Sequence, residues 1–426
     1  MKTSIVSERL SLAGNKAICP VKTILQLIAT YLGVMLLIGL SAGCAGSAKK
    51  TAPPSSVEST PVVEAHNGVT GNIMSQWVDR TPSLSHTSAF PAAGEDCGLI
   101  YDPVQRRIVL FGGKTDENKV VSEVWSLDLA KNLWQKIEID GESPPTSEDH
   151  VVIYDPMSYR MILHGGEDGL TTNKTWALDL KTQRWRNITD STAPAREDHT
   201  ALFDSHGKRM VVFGGRNKSR DNDDINIYEI WALDLDPTSP SFEKWRNLTV
   251  EDKHPLGRSD HVAVYDSKKN RMIVYGGWDK WEKKYFDDTW AFHFAPLDSG
   301  DTMGFWKQIK TKKSHPPKRR HAVGAYDAAQ NWFIIFGGFG EEGYLNDVWA
   351  FDLDYDVWIN ITPGPQPRID QQAVYDPQSQ RLIIYGGDAR LNSKFHDVWE
   401  LQIQSNLPVD LILKEAGAKT NAESKP

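Results

Sequence analysis

Arg196-Glu197-Asp198-His199 opens a stretch that runs through Thr200-Ala201-Leu202-Phe203, turns at Asp204-Ser205-His206-Gly207 and continues as Met210-Val211-Val212-Phe213-Gly214-Gly215. A loop leads on to Ile230-Trp231-Ala232-Leu233-Asp234-Leu235, and the unit closes at Lys244-Trp245-Arg246-Asn247. Short apolar runs bounded by turn residues read as β-strands and not as helices. The four strands of the unit are designated a to d in chain order.

The rest of the chain repeats this unit. A Gly-Gly pair ends an apolar run at Gly112-Gly113, Gly165-Gly166, Gly214-Gly215, Gly276-Gly277, Gly337-Gly338 and Gly386-Gly387. An aspartate stands ten residues before the first glycine in every case: Asp102, Asp155, Asp204, Asp266, Asp327 and Asp376. The invariant spacing implies a fixed a–b hairpin, with Pro103 and Pro377 pre-setting φ for two of the turns. Each pair is followed by a strand c tryptophan (Trp125, Trp176, Trp231, Trp290, Trp349, Trp399), and in five repeats by a strand d tryptophan (Trp134, Trp185, Trp245, Trp306, Trp358). The sixth repeat lacks its strand d, but Ser75-Gln76-Trp77-Val78 precedes the first strand a as the other d strands precede theirs.

A period near 50 residues points to an array or a propeller. The double glycine with two spaced tryptophans closely resembles the kelch repeat, over roughly residues 73–404. The resemblance implies an all-β, six-bladed kelch β-propeller with four-stranded blades around a central channel. Its last blade would be closed by the N-terminal strand around Trp77, which shields the sheet edges that an open row would expose. Tryptophans of ~150–250 Å² would fill the space between blades, and the glycines would permit positive φ where strand b ends.

Residues 1–43 read as a lipoprotein-type signal. Lys16 and Lys22 precede an apolar run from Thr23 to Leu40, and Leu40-Ser41-Ala42-Gly43-Cys44 resembles a bacterial lipobox, with Cys44 as the lipidated residue. An uncleaved anchor and ordinary secretion are the other two readings, since the run has about the minimum length to span a bilayer. The chain carries a formal charge of −8; residues 1–43 hold four basic residues and one acid, so their removal leaves −11. Residues 44–72, rich in Ala, Ser, Thr and Pro, read as a tether, and 405–426 as a mobile tail. In the lipoprotein family a residue other than aspartate after the cysteine favours the outer membrane, and Ala45 fits if the source is Gram-negative. Cys19, Cys44 and Cys97 are the three cysteines and form no disulfide framework; Cys97 reads as a small buried hydrophobe.

The a–b hairpins are uniform in length, whereas the b–c and d–a connections vary, and in an antiparallel four-stranded blade these two emerge on one side. Variable loops on a rigid scaffold are where binding residues sit. Just before strand a stand Asp96, Asp149, Asp198, Asp260, His321 and Asp370, expected to ring the channel mouth, and two residues earlier Gly94, Ser147, Arg196, Arg258, Arg319 and Arg368. One reading is a site of acids and arginines that clamps a carboxylate or does acid–base work; the other, favoured by recurrence in nearly every blade, is scaffold pairing. Blade five breaks the symmetry with the basic run Lys312 to His321, including Arg319, Arg320 and His321. Blade four does so with Trp278, Trp281 and Tyr285, which either pack between blades or stack on a ligand. Arg196, Glu197, Arg258, Trp278, Trp281, Arg319, Arg320, His321 and Arg368 are the candidate ligand-binding residues.

Catalytic, cofactor and metal signatures are absent from the sequence. The one Gly-x-Ser-x-Gly, Gly39 to Gly43, falls in the signal. Arg220-Asp221-Asn222-Asp223-Asp224 lacks the glycine and closing glutamate of a calcium loop. Kelch-type galactose oxidases use copper with a cysteine-linked tyrosine, and no matching cysteine constellation is present. The expectation is an envelope-anchored, monomeric module that binds an envelope protein or an acidic or neutral glycan through its b–c/d–a face, with no nucleic-acid partner. The alternative is a sugar-acting enzyme of the sialate epimerase or mutarotase type, whose acid and arginine roles fall on residues such as Glu148, Glu197 or Arg258.

Overall fold

The computed structural model describes residues 73–82, 89–218, 224–296, 303–311, 315–389 and 393–405. The expected signal, Cys44, the tether and the tail beyond Ser405 lie outside the described residues, as do residues 220–223 of the calcium-like loop and 312–314 of the basic run.

Six antiparallel sheets of four strands each form the blades. Blade three, from the opening stretch, comprises Thr200–Asp204, Arg209–Phe213, Ile230–Asp234 and Trp245–Asn247. Blade six is built from Gln372–Asp376, Arg381–Tyr385, Val398–Ser405 and, as expected, Ile73–Asp79. The strand Ile73–Asp79 pairs antiparallel with the last strand c, Trp77 opposite Leu401, so the first and last described strands share one sheet. The a strands of neighbouring blades touch one another in a closed ring around the axis. Among the described residues there is no helix, and none therefore long and apolar enough to cross a membrane.

Each a–b hairpin is held by the aspartate that the ten-residue spacing picked out. Asp102 is fully buried; one carboxylate oxygen accepts from the Val104 and Gln105 amides and the other from Arg107 Nε at 2.9 Å. Asp155–Arg160, Asp204–Arg209 and Asp266–Arg271 repeat the pair. The carboxylate thus caps a turn and fixes the first residue of strand b in one geometry.

Between blades, each strand d tryptophan packs on the aromatic residue that precedes the Gly-Gly of the blade before it. The pairs are Trp185 on Phe111, Trp245 on His164, Trp306 on Phe213, Trp358 on Tyr275, Trp77 on Phe336 and Trp134 on Tyr385, with ring centroids 4.4–5.4 Å apart. The last two close the circle. The apolar clusters accordingly span neighbouring blades: Phe111 of blade one shares a core with Trp176 and Trp185 of blade two.

The glycines serve the same junction. Gly277 has φ +102°, and a Cβ there would come within 2.8 Å of the Ser259 carbonyl oxygen. Its amide donates to the Arg319 carbonyl of the next blade, as Gly215 does to Arg258 and Gly338 to Arg368. A side chain would break this backbone-to-backbone approach.

The arginines at the d–a junction are buried clamps. In Arg258, Nε donates to the Leu256 carbonyl, Nη1 to the Gly276 carbonyl at 2.9 Å, and both Nη atoms to Asp288, whose second oxygen also accepts the Trp290 indole. Arg319 with Asp347 and Trp349, and Arg368 with Asp397 and Trp399, are built alike. Removing the arginine empties a fully buried site and leaves a carboxylate only 22–26% exposed without its partner, which costs up to about 3–5 kcal/mol. Arg258→Ala is therefore expected to lower unfolding free energy by about that much, read by tryptophan fluorescence in a urea titration. A loss under about 1 kcal/mol would show that the clamp does not hold the blade.

Candidate functional site

The d–a segments and b–c loops do share one face, joined by short bridges: Glu197 with Arg216, Ser259 with Trp278, Arg320 with Phe339, and Ile369 with Asp388. Next to each bridge the chain turns into strand a through a residue at positive φ. These are Asp96, Asp149, Asp198, Asp260, His321 and Asp370, with φ between 51° and 57°. Aspartate and histidine tolerate this left-handed region better than most residues. Backbone bonds link them from blade to blade: Asp198 N to Asp149 O, Asp260 N to Asp198 O, His321 N to Asp260 O, and Asp96 N to Asp370 O. Five carboxyls and one imidazole thus ring the channel mouth.

Above the ring lies a cavity of about 460 Å³, rimmed by Lys114, Arg216, Trp278, Lys280, Lys283 and Arg320. Below it the channel continues as a space of about 250 Å³ between the a strands. Lys114 Nζ is 3.1 Å from Asp96 and also pairs with Glu148. Arg216 Nε is 2.7 Å from Asp198 and 3.0 Å from Glu197. His321 Nδ1 is 2.7 Å from Asp370 and 3.4 Å from Asp260. The Arg320 guanidinium lies 5.3 Å from the Trp278 ring centroid and 5.8 Å from that of Phe339.

Crowding like charges at an axis drives some of the acids to stay protonated. Burial, then the Asp370 charge, raises Asp96 to about 7 against the pull of Lys114. Burial and the Asp198 charge hold Asp149 well above the carboxylate range, and burial and Asp260 do the same to Asp198. Burial alone would lower His321, but Asp260 and Asp370 together outweigh it and push it up to about 10. Burial would raise Asp370, and the imidazolium outweighs this and keeps it low. At neutral pH the ring therefore offers both proton donors and acceptors to a polar ligand at the mouth.

The structure separates the residues that the sequence grouped. Arg320, His321 and Trp278 meet at the mouth, and Trp281 stands 66% exposed in the same b–c loop. Arg196, Arg258, Arg319 and Arg368 were expected to ring the mouth with the acids, but they are fully buried. An arginine side chain at that position turns outward, toward the strand c tryptophan and its acid, while the ring residue two positions on turns to the axis. Glu197 is likewise buried, accepting from Thr171 Oγ1 at 3.1 Å, and burial with the Glu167 charge raises it to about 7 against Arg216. Lys114, Arg216, Lys280 and Lys283 were missed. The signal was available: the residue straight after each Gly-Gly (Lys114, Glu167, Arg216, Trp278, Phe339, Asp388) bridges to the d–a segment beside the mouth.

A family model described as the KLHDC2/KLHL20/DRC7 Kelch-repeats domain matches residues 100–244 and 238–407. The chain is similar to the dynein alpha chain of the flagellar outer arm of Chlamydomonas reinhardtii, 29% identical over 168 residues, which are 36% of this chain and 3% of that protein. It is 26% identical to Adagio protein 3 of Arabidopsis thaliana over 168 residues, 38% of this chain and 25% of that one. Over 299 residues it is 22% identical to multiple epidermal growth factor-like domains protein 8 of Mus musculus, 67% of this chain and 10% of that protein. The chain thus spans a quarter or less of the length of these relatives. Among solved structures, that of YjhT aligns with 75% of this chain and 99% of its own at a TM-score of 0.58 and 12% identity, a likeness of fold.

The ring makes stability depend on pH in two opposed ways. Folded His321 keeps its proton to about 10, unfolded to about 6.5, so its stabilisation is complete below the lower value and is lost as pH rises through the upper one. Folded Asp96 keeps its proton to about 7 against 3.8 for an aspartate in the unfolded chain, so its ionisation increasingly opposes folding as pH rises across that window. His321→Gln should accordingly weaken the protein at about pH 6 and cost little near pH 10.5, while Asp96→Asn should strengthen it at neutral pH and not at pH 4. Urea titrations across pH check both, and parallel curves for wild type and variants would refute the assignment.

Proposed function

The chain belongs to the kelch-repeat family, and we propose from that premise that it is an envelope-anchored binding module that docks a protein partner on its b–c/d–a face. Kelch propellers commonly act as protein-interaction modules, so the coarse reading follows from the family. The finer one is supported by where apolar surface is left exposed. Among the described residues, the exposed large apolar side chains include Phe90, Leu170, Ile225, Leu256 and Trp281, all in d–a or b–c loops; Val104, the most exposed, lies in an a–b turn and Phe305 in a strand d. Concentration on one face marks an interaction surface. Trp281, with the Arg320–Trp278 stack beside it, has the tryptophan and arginine character of a binding hot spot. The cationic rim of the mouth favours an acidic patch on the partner and makes association weaken with salt.

A photo-crosslinking residue at Trp281 in the full chain, expressed in its own envelope, is expected to trap a discrete partner, while the same residue at Val104 on the opposite face is not. Trp281→Ala should weaken the complex by about 2 kcal/mol, roughly thirtyfold. Equal trapping at both positions would sink the proposed face.

The enzyme reading has one observation in its favour: Asp96 at about 7 and the raised Asp149 sit at the mouth of a polar channel, where acid–base groups poised near neutrality could exchange protons with a sugar. Acidic and neutral sugars followed by NMR distinguish the two readings, since accelerated anomeric or epimeric exchange that disappears in Asp149→Asn would make the protein a catalyst.

Anchoring is proposed through lipid on Cys44, in the outer membrane if the source is Gram-negative, with the propeller in the periplasm or at the cell surface. Mass spectrometry of the membrane fraction should find a chain beginning at acylated Cys44. An unmodified Cys44 in a chain retaining Met1 would overturn it.

A further inference from the structure

The seams between blades are built alike but not from the same residues. Where strand b ends, five blades carry Phe111, Phe213, Tyr275, Phe336 or Tyr385, and blade two carries His164. The residue after each ring position fills the seam from the other side, against the first glycine of the blade before. In blade six it is Gln371, whose Nε2 donates to the Phe336 carbonyl at 3.1 Å. In blade three it is His199, whose Cε1 lies 2.7 Å from where a Cβ on Gly165 would stand. The seam between blades two and three therefore holds two facing imidazoles, ring centroids 5.5 Å apart. In the neighbouring seams His150 and His261 each face a phenylalanine, Phe111 and Phe213.

His164 is 0% and His199 5% exposed. His164 Nδ1 and Thr175 Oγ1 share a hydrogen bond at 2.9 Å, and the ring lies 4.4 Å from that of Trp245. Neither ring nitrogen of His199 has a hydrogen-bond partner among the described residues. The fasteners beside this seam are weak as well. Ser147 and Lys174 stand in blade two where the clamp arginine and its acid stand elsewhere. In blade three, Arg196 Nη2 is 3.8 Å from a Glu229 whose side chain is 44% exposed, whereas the clamps of blades four to six close at 2.6 Å.

A proton on either imidazole would put a charge in a buried site already facing an arginine. Burial, then His164 and Arg196, hold His199 well below the ordinary histidine value, with His261 and His150 adding to this. Burial, then Arg196, lowers His164 to about 3 against the Pro194 and Lys174 carbonyls. An unfolded histidine takes its proton at about 6.5, so the seam loses stability as pH falls below that value. The acids next along the chain, Glu197 and Asp198, are raised chiefly by burial. Their protonation favours the folded ring, so they oppose an opening in acid and do not cause one.

We propose that the seam between blades two and three is an acid-sensitive latch, closed at neutral pH and opened by protons on His164 and His199 while the seams among blades four to six stay shut. Opening breaks the main-chain bonds that cross it: Gly166 N to Arg196 O, Arg196 N to Thr172 O, and Asp198 N to Asp149 O. The last belongs to the ring at the channel mouth, so the latch loosens one side of the mouth without unfolding a blade. The device does not depend on what docks there.

Hydrogen exchange of the full chain, followed by mass spectrometry at about pH 7 and about pH 4.5, reads the latch. Chemical exchange itself changes with pH, so peptides carrying Gly166, Arg196 and Asp198 are compared, in the same sample, with those carrying Gly277, Arg319 and His321, whose amides bond likewise between blades four and five or around the ring. Relative protection of the first set should fall at least about tenfold at the lower pH. The fall should disappear when His164→Phe, the residue of blades one, three and five, is combined with His199→Gln, the residue of blade six. His164→Phe leaves Thr175 Oγ1 to the Trp245 indole, the bond that Thr289 makes with Trp358. Equal pH dependence of the two sets in the wild type, or an unchanged fall in the double variant, would overturn the proposal. The wild-type comparison needs no substitution and decides the matter even where the double variant does not fold.

Discussion

The propeller depends on one contact made six times: the strand d tryptophan of each blade against the aromatic residue that ends strand b of the blade before. Trp134 on Tyr385 and Trp77 on Phe336 are the links across the closing blade, and without them the ring is an open row of sheets. Each such pair is worth about 0.5–1.5 kcal/mol beyond the area it buries, and a closed ring holds every pair at once. The Gly-Gly that follows the aromatic is part of the same device. Its amide reaches the backbone of the next blade, so side-chain packing and a main-chain hydrogen bond set one blade-to-blade distance together.

The functional face is a consequence of that junction. The carbonyl that accepts from the second glycine belongs to the residue two before the ring position, and in three blades that residue is an arginine locked by an aspartate. Fixing its backbone aims the next residues at the axis, which is how five carboxyls and an imidazole come to share a mouth that none would choose in isolation. The scaffold's stability supports the crowded titrating groups, whose repulsion leaves protons on Asp96 and Asp149 at a pH where free carboxyls have lost them.

Repetition and its exceptions carry different information. Arg258, Arg319 and Arg368 are interchangeable members of a clamp, and their recurrence signals packing. His321 among aspartates, Trp278 and Trp281 among smaller loop residues, and Glu229 where the other three arginine clamps use aspartate each break the repeat, and each lies at the face where the b–c and d–a segments meet. Fold alone does not select a function for a propeller; the departures from its symmetry are what can.

The architecture was legible in the sequence because it rests on local, periodic signals. The ten-residue spacing from Asp102 to Gly112, repeated in every blade, specified the hairpin, and Trp77 alone announced that the first strand completes the last blade. The ring residues Asp96 to Asp370 were legible too, from their fixed place before strand a. The direction in which each side chain turns was not. Arg196 and Asp198 are two residues apart and equally polar, yet one is sealed beside the strand c tryptophan and the other faces the channel, because the chain reverses through positive φ between blades. Nor could spacing show that Glu229 fails to close on Arg196, since the difference is one methylene in the reach of a side chain across the blade. Sequence periodicity determines which backbone forms; which polar groups are left open on it is decided only when the blades pack.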